Sequence, residues 1–290
     1  MRMLSAPPTE APPGTRPVLP AMRLLLGVFT VLTALAVVAL FVLAEQTDRT
    51  FAWTIQPPLT AAFLGAGYAA GFVLVVLSLR ERHWAHVRVP VLTVFVFVLL
   101  TLAASLLHLE KFHLDPDDAG TVAVAAGWFW LTVYVVLPVG MLAALWQQER
   151  APGSDPPRRA PIPRLLSGAL AVEAVVLTAV GTALYVAPAS ATALWPWPLT
   201  PLTARVVAAW LIAFGLATAL AATAGDLRRL RTATIAYTVF GVAVAAAVAR
   251  FAGTVAWGEP SAWGFAAMTV AVLLTGAAGW WLAPRDEVGR

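Results

Sequence analysis

The sequence predicts an all-α fold: a polytopic integral membrane protein of eight transmembrane helices built as two parallel four-helix repeats. Three observations predict it. Of the 290 residues, 60% are hydrophobic and 12% charged, where a typical soluble domain is about a quarter charged. The apolar residues gather into eight stretches, each near the ~20 residues needed to cross a hydrocarbon core as a helix. Short motifs recur in the same order in both halves of the chain.

The eight spans run from Met22 to Ala44, Leu59 to Leu79, Val89 to Leu109, Thr121 to Trp146, Leu165 to Ala187, Leu199 to Ala224, Thr232 to Ala252 and Ala262 to Ala283. Without water in the bilayer core each span must satisfy its own backbone, and stretches this long and this rich in Ala, Leu and Val do so as helices. Arginines mark alternate connections: Arg80, Arg82 and Arg88 after span 2, Arg150 to Arg164 after span 4, and Arg228, Arg229 and Arg231 after span 6. The opposite loops hold Arg49 and Lys111 and are otherwise acidic. The positive-inside rule then places both termini in the cytoplasm. Arginine distributed this way orients a chain in a membrane and meets anionic lipid. It forms no nucleic-acid face, although the net charge is +4.

The repeat reads as follows. "RLLLG" at 23 to 27 returns as "RLLSG" at 164 to 168, an offset of 141, and "PLTA" at 58 to 61 returns at 201 to 204, an offset of 143. Arg88 aligns with Arg231, again at 143, and Trp146 with Trp281 at 135. Two halves of equal orientation imply a pseudo-two-fold axis along the membrane normal. The expected organisation is a disordered cytoplasmic tail over 1–20, a first repeat over 21–150, a flexible Pro-rich linker over 151–163, a second repeat over 164–284 and a short cytoplasmic tail over 285–290. One lysine against eighteen arginines fits a high-GC bacterial coding bias, and so a bacterial cell membrane.

Several residues stand out against this background. Most of the twelve tryptophans lie at span ends, where aromatic belts anchor helices. Trp128, Trp130, Trp195 and Trp197 also allow an aromatic pocket on the outer side. Arg205 and Arg250 lie about a turn inside spans 6 and 7, where an arginine either snorkels or joins in an anion site suited to phosphate or carboxylate. Glu173 lies about 12 Å along span 5 by helix rise. An acid at that depth marks an ion or proton path or glues helices by hydrogen bonding, with Arg205 as one candidate partner. Pro138 and Gly140 interrupt span 4 and form a candidate hinge. Gly67 with Gly71, and Gly241 with Ala245, have the spacing of close helix packing.

Function is narrowed chiefly by elimination. The chain has no cysteine, and its histidines and carboxylates, including those of the loop 108–118, follow no metal-ligand spacing. No catalytic motif and no cofactor is indicated. Two classes remain. In one, the protein is a binding, accessory or scaffold protein that recognises a lipid, an amphiphile or a partner helix at its outer face; its partners are membrane lipids and other membrane proteins, not nucleic acid. In the other, it is a small-solute or proton-coupled transporter that works through Glu173 and the Pro138 kink.

Overall fold

The structure, a computed structural model, is described for residues 14–117 and 119–284. Eight helices are long and apolar enough to cross a membrane: α1 (Pro20–Val37), α2 (Pro58–Arg80), α3 (Trp84–Leu106), α4 (Thr121–Glu149), α5 (Arg164–Val186), α6 (Pro201–Ala224), α7 (Leu227–Arg250) and α8 (Pro260–Leu282). Proline occupies the first turn of α1, α2, α6 and α8, where its missing N–H costs nothing. Two helices begin earlier than apolarity alone predicts. α3 takes in Arg88 and Pro90, and α7 takes in Arg228, Arg229 and Arg231. A hydropathy window stops at charge, whereas a helix continues while its backbone is satisfied. At α7 the Asp226 carboxylate does this, accepting from the Arg228 N–H at 2.8 Å.

The helices pack as two layers. In one, α1 lies on α2, α2 on α7 and α7 on α8; in the other, α4 lies on α3, α3 on α6 and α6 on α5. Each layer therefore takes two helices from each half of the sequence. The halves are interleaved instead of standing side by side. Burial follows this order: 61% of the most apolar stretch of α2 and of α6 is buried, 44% of α3 and α7, and between 17% and 33% of the four outer helices.

Apolar side chains gain little by leaving lipid for protein, so helices in such a bundle adhere through close approach and hydrogen bonds. Glycine supplies the close approach. A Cβ on Gly65 of α2 would lie 2.6 Å from the Phe41 backbone nitrogen, and one on Gly215 of α6 would lie 3.0 Å from the backbone nitrogen of Thr178 on α5. Gly241 meets Leu273 of α8 in the same manner, but the neighbour of Gly67 is the Trp210 indole and not a helix backbone.

α1 does not end as a simple helix. Its last turn, Val38–Val42, is π-helical, with the Leu43 N–H reaching back to the Val38 carbonyl at 3.0 Å. Arg250 at the end of α7 donates to the Phe41 carbonyl at 2.9 Å. Arg23 performs the same service at the opposite end, donating to the carbonyls of Leu79 and Glu81 at 2.7 and 2.8 Å. Both arginines thus satisfy carbonyls at a neighbouring helix C-terminus, where a cation also meets a favourable dipole.

The arginine-rich end is cross-braced. Glu149 accepts from Arg16, Arg88 and the Trp84 indole at 3.0, 3.1 and 2.9 Å, and Asp155 lies 3.1 Å from Arg88 and 3.7 Å from Arg229. Asp226 accepts from the Arg159 N–H at 2.6 Å, and Leu227 donates to the Ala160 carbonyl. The linker predicted to be flexible over 151–163 is therefore pinned to the starts of α3 and α7. Residues 1–13 of the predicted tail lie outside the described residues, as does the tail over 285–290. From residue 14 the chain runs as an extended strap: Arg16 exchanges backbone hydrogen bonds with Ser154 and Trp84, and the Gln148 amide clamps Pro17 and Leu19. Proline-rich composition does not reveal these contacts, because the partners come from distant loops.

Three outcomes follow. Gly65→Ala forces a clash that the Phe41 backbone cannot relieve, so a cost of about 1–3 kcal/mol should lower the thermal midpoint measured in detergent. Gly140→Ala, with nothing within 4 Å of its Cβ, should leave the midpoint level or raise it, since alanine gains about 1 kcal/mol in helix propensity. At the arginine-rich end the His86 ring donates to Glu81 at 2.9 Å; this bond holds the Glu81 carboxyl below its ordinary value of 4.5, against the opposing effect of burial. A depressed carboxylate contributes stability that is present above its unfolded value and lost as pH falls through the folded one. Below pH 4.5 the midpoint of the unmodified protein should therefore fall more steeply than that of Glu81→Gln.

Candidate functional site: an apolar cavity between the layers

A cavity of about 350 Å³ lies between the two layers, lined from all eight helices and from Thr50 and Phe51 after α1. Its wall has no Asp, Glu, Lys, Arg or His. The threonine hydroxyls of the wall are mostly spent on their own helices: Thr33 donates to the Phe29 carbonyl at 2.7 Å and Thr218 to that of Phe214 at 3.0 Å. Across the gap the Tyr68 and Tyr134 hydroxyls bond each other at 2.6 Å. A polar group that is already paired offers little to a polar ligand. The space is of a size that takes a small molecule or part of one, and its surface suits hydrocarbon.

Aromatic rings build much of the wall. Trp130 stacks on Tyr134 with centroids 4.4 Å apart, and Trp210 lies 4.0 Å from Phe97 and 5.5 Å from Phe214. The Trp210 indole fits because α2 has glycine beneath it: a Cβ at Gly67 would come within 2.7 Å of the ring. Gly71, one turn on, also lines the cavity, and a Cβ there would meet only ordinary contacts at 3.7 and 3.8 Å.

Glu173 stands behind this wall. It is 3% exposed and reaches from α5 across to the other layer, accepting from the Tyr237 hydroxyl of α7 at 3.0 Å and the Thr275 hydroxyl of α8 at 2.9 Å. Tyr237 and Thr275 line the cavity, while Glu173 does not. Its neighbours are hydroxyls. Among the described residues it makes no ion pair, and Arg205, considered from sequence as its partner, donates instead to Nε2 of His108 at 2.7 Å. That geometry requires the unprotonated nitrogen of His108 to face the guanidinium.

The remaining sequence candidates disperse. Arg205 joins α6 to the end of α3, whereas Arg250 caps the π-helical turn of α1 and lies 3.7 Å from Glu45; the two cations serve different partners and do not converge on one site. Trp195 and Trp197 belong to the protein core and not to a lipid-facing belt, at 7% and 2% exposed. They pack on Phe63 and Phe265, and the Trp197 indole donates to Thr60 at 2.9 Å. Trp130 is in the cavity wall, but Trp128 is exposed on the outside of α4. α4 continues as a helix through Pro138, which is buried, and Gly140 faces outward into open space.

Sequence reasoning missed Tyr68, Tyr134 and Trp210, the residues that shape the cavity most. Their one visible signal is an aromatic placed in mid-span, far from the headgroups. No family model matches the chain, and no curated protein or solved structure does so.

Removing the acid tests its role as an interlayer pin. Glu173→Leu leaves the buried Tyr237 hydroxyl without its acceptor, at a cost of about 1–3 kcal/mol, whereas the Thr275 hydroxyl can fall back on the Ala271 carbonyl at 2.9 Å. The thermal midpoint should fall clearly for Glu173→Leu and much less for Glu173→Gln, which keeps an acceptor oxygen.

Proposed function

We propose that this is a binding protein of a bacterial cell membrane, with both termini cytoplasmic, that takes the apolar part of a lipid or other amphiphile into the cavity between its layers. A cavity of about 350 Å³ with a wall free of charged side chains carries the reading. A solute that must leave water needs several polar groups at the midplane to replace its hydration, and here the hydroxyl of Thr93 and the indole N–H of Trp210 are the unpartnered ones among the described lining residues. A hydrocarbon chain needs none. Relative to an expectation of recognition at the outer face, the site moves inward, because Trp130, Trp195 and Trp197 pack into the core and Trp128 alone of the four is exposed. Membrane lipids are the proposed partners, alongside other membrane proteins.

The packing supports two repeats. The pseudo-two-fold axis would exchange α1 with α5, α2 with α6, α3 with α7 and α4 with α8, and so exchange the layers. The observed pairs obey this: α1 on α2 corresponds to α5 on α6, α2 on α7 to α6 on α3, and α3 on α4 to α7 on α8. The orientation rests on the arginine-rich end, by the positive-inside rule. The transporter reading retains one favourable observation, a buried intramembrane acid in Glu173.

Native mass spectrometry of gently extracted protein tests the proposal. The protein should retain a co-purifying lipid or fatty acid, and Gly71→Leu, which fills the cavity without a backbone clash, should reduce that retention at least about 5-fold with the thermal midpoint maintained; that threshold is an order of magnitude set by the ~1 kcal/mol scale of one lost apolar contact. Equal retention by the two proteins would overturn it. A proton-coupled flux in vesicles that Glu173→Gln abolishes would favour the transporter instead.

A further inference from the structure

Resting on the reading above, we propose that the cavity fills sideways: a hydrocarbon chain enters from the bilayer through a portal between α1 and α4, while the corresponding seam between α5 and α8 is held shut. Of the residues that line the cavity, only Leu35 on α1 and Phe129 on α4 are exposed. Both sit toward the arginine-poor end, by helix rise about 10 Å from the end of the π-helical turn at Val42 and about 12 Å from the start of α4 at Thr121. At that depth, between two lipid-facing helices, what the opening meets is lipid chain.

The repeat offsets show why one seam opens and the other does not. Glu173, Tyr237 and Thr275 pin α5 to α7 and α8. The offsets of 141, 143 and 135 place Leu32, Val94 and Gly140 at their positions in the first half. None of these side chains can form a hydrogen bond, so the whole polar pin is replaced by hydrocarbon and a glycine. Leu32 and Val94 line the cavity, and Gly140 is on the exposed side of α4.

The two helices that frame the portal are both irregular. α1 passes into its π-helical turn at Val38, and the last of its lining residues, Ala39, lies in that turn. α4 carries Pro138 just beyond its last, Leu137, and proline frees the carbonyl four residues earlier, that of Tyr134. Both features loosen a helix locally. α5 and α8 have neither within their helical bodies.

The chain has no cysteine, so single cysteines can be placed freely. Leu35→Cys and Phe129→Cys would each be modified in detergent with a bulky aromatic thiosulfonate, then reconstituted into phosphatidylethanolamine and phosphatidylglycerol vesicles. Val172→Cys on the exposed face of α5 serves as the control. The probe is a diazirine-bearing palmitic acid, activated by light, with labelled peptides located by mass spectrometry. Unmodified proteins should be labelled at cavity residues such as Trp210. The adduct at either portal position should reduce that labelling by roughly ten-fold, the factor that 1.4 kcal/mol represents, and reduction of the adduct should restore it. The Val172 adduct should have no effect. Equal labelling with and without the portal adducts would overturn the portal and leave the cavity reading standing. Absence of cavity labelling in the unmodified protein would overturn both.

Discussion

A helix surrounded by hydrocarbon gains little by burying leucine against leucine, so the contacts of α2 with α7 and of α3 with α6 must come from shape and from polar groups with nowhere else to go. These two pairings interleave the halves, since each joins a helix of one half of the chain to a helix of the other. The inner contacts of each layer therefore need both halves. The most buried helices, α2 and α6, each lie between a helix of their own half and one of the other. Cross-links between the halves reinforce the arrangement: Trp197, from the second half, donates to Thr60 on α2, and Arg250 satisfies the Phe41 carbonyl of α1.

Layers assembled in this way face each other across aromatic side chains. Rings are long, and two facing rows of them cannot mesh as tightly as the glycine contacts within a layer. The cavity is the space left over where Tyr68, Phe97, Trp130, Tyr134 and Trp210 lean toward one another. The same glycines that seat those rings, Gly67 above all, set its depth. A binding site can therefore arise here without any specialised loop, as a consequence of large side chains in the gap and small ones beneath them.

Eight spans, their alternating arginine ends and the recurrence of motifs were readable in the sequence because each is a property of composition along one dimension. The direction each side chain faces was not. Trp195 and Trp197 sit beside Pro and Thr at a span end, as belt tryptophans do, yet they are buried, whereas Trp263 and Trp281 at similar positions are exposed. In a chain this apolar, lipid-facing and protein-facing surfaces have the same chemistry, so periodicity gives no inside or outside. Arg205 shows the limit for polar residues as well. Its depth was readable, but its partner His108 is 97 positions away. Glu173 stands out in the sequence for a general reason, the cost of an acid in hydrocarbon; that its partners are Tyr237 and Thr275 depends on the layers.

Duplication and divergence, as proposed above, would account for the placement of that acid. If two identical halves had been kept, both lateral seams would be alike, either pinned by a Glu, Tyr and Thr set or lined by Leu, Val and Gly. A bundle with two pinned seams would hold its layers shut on both sides, and one with two apolar seams would have nothing but dispersion between its outer helices. The observed chain has one of each. The hydrogen bonds of Glu173 tie α5 to α7 and α8 in mid-span; on the other side α4 is tied to the opposite layer through Tyr134 to Tyr68 and through Gln148 to Leu19. An intramembrane carboxylate placed as a fixed edge needs no water path, no counter-ion and no titration in order to matter. What it contributes is a set of hydrogen bonds at one seam that the residues at the corresponding positions of the other, Leu32, Val94 and Gly140, cannot form.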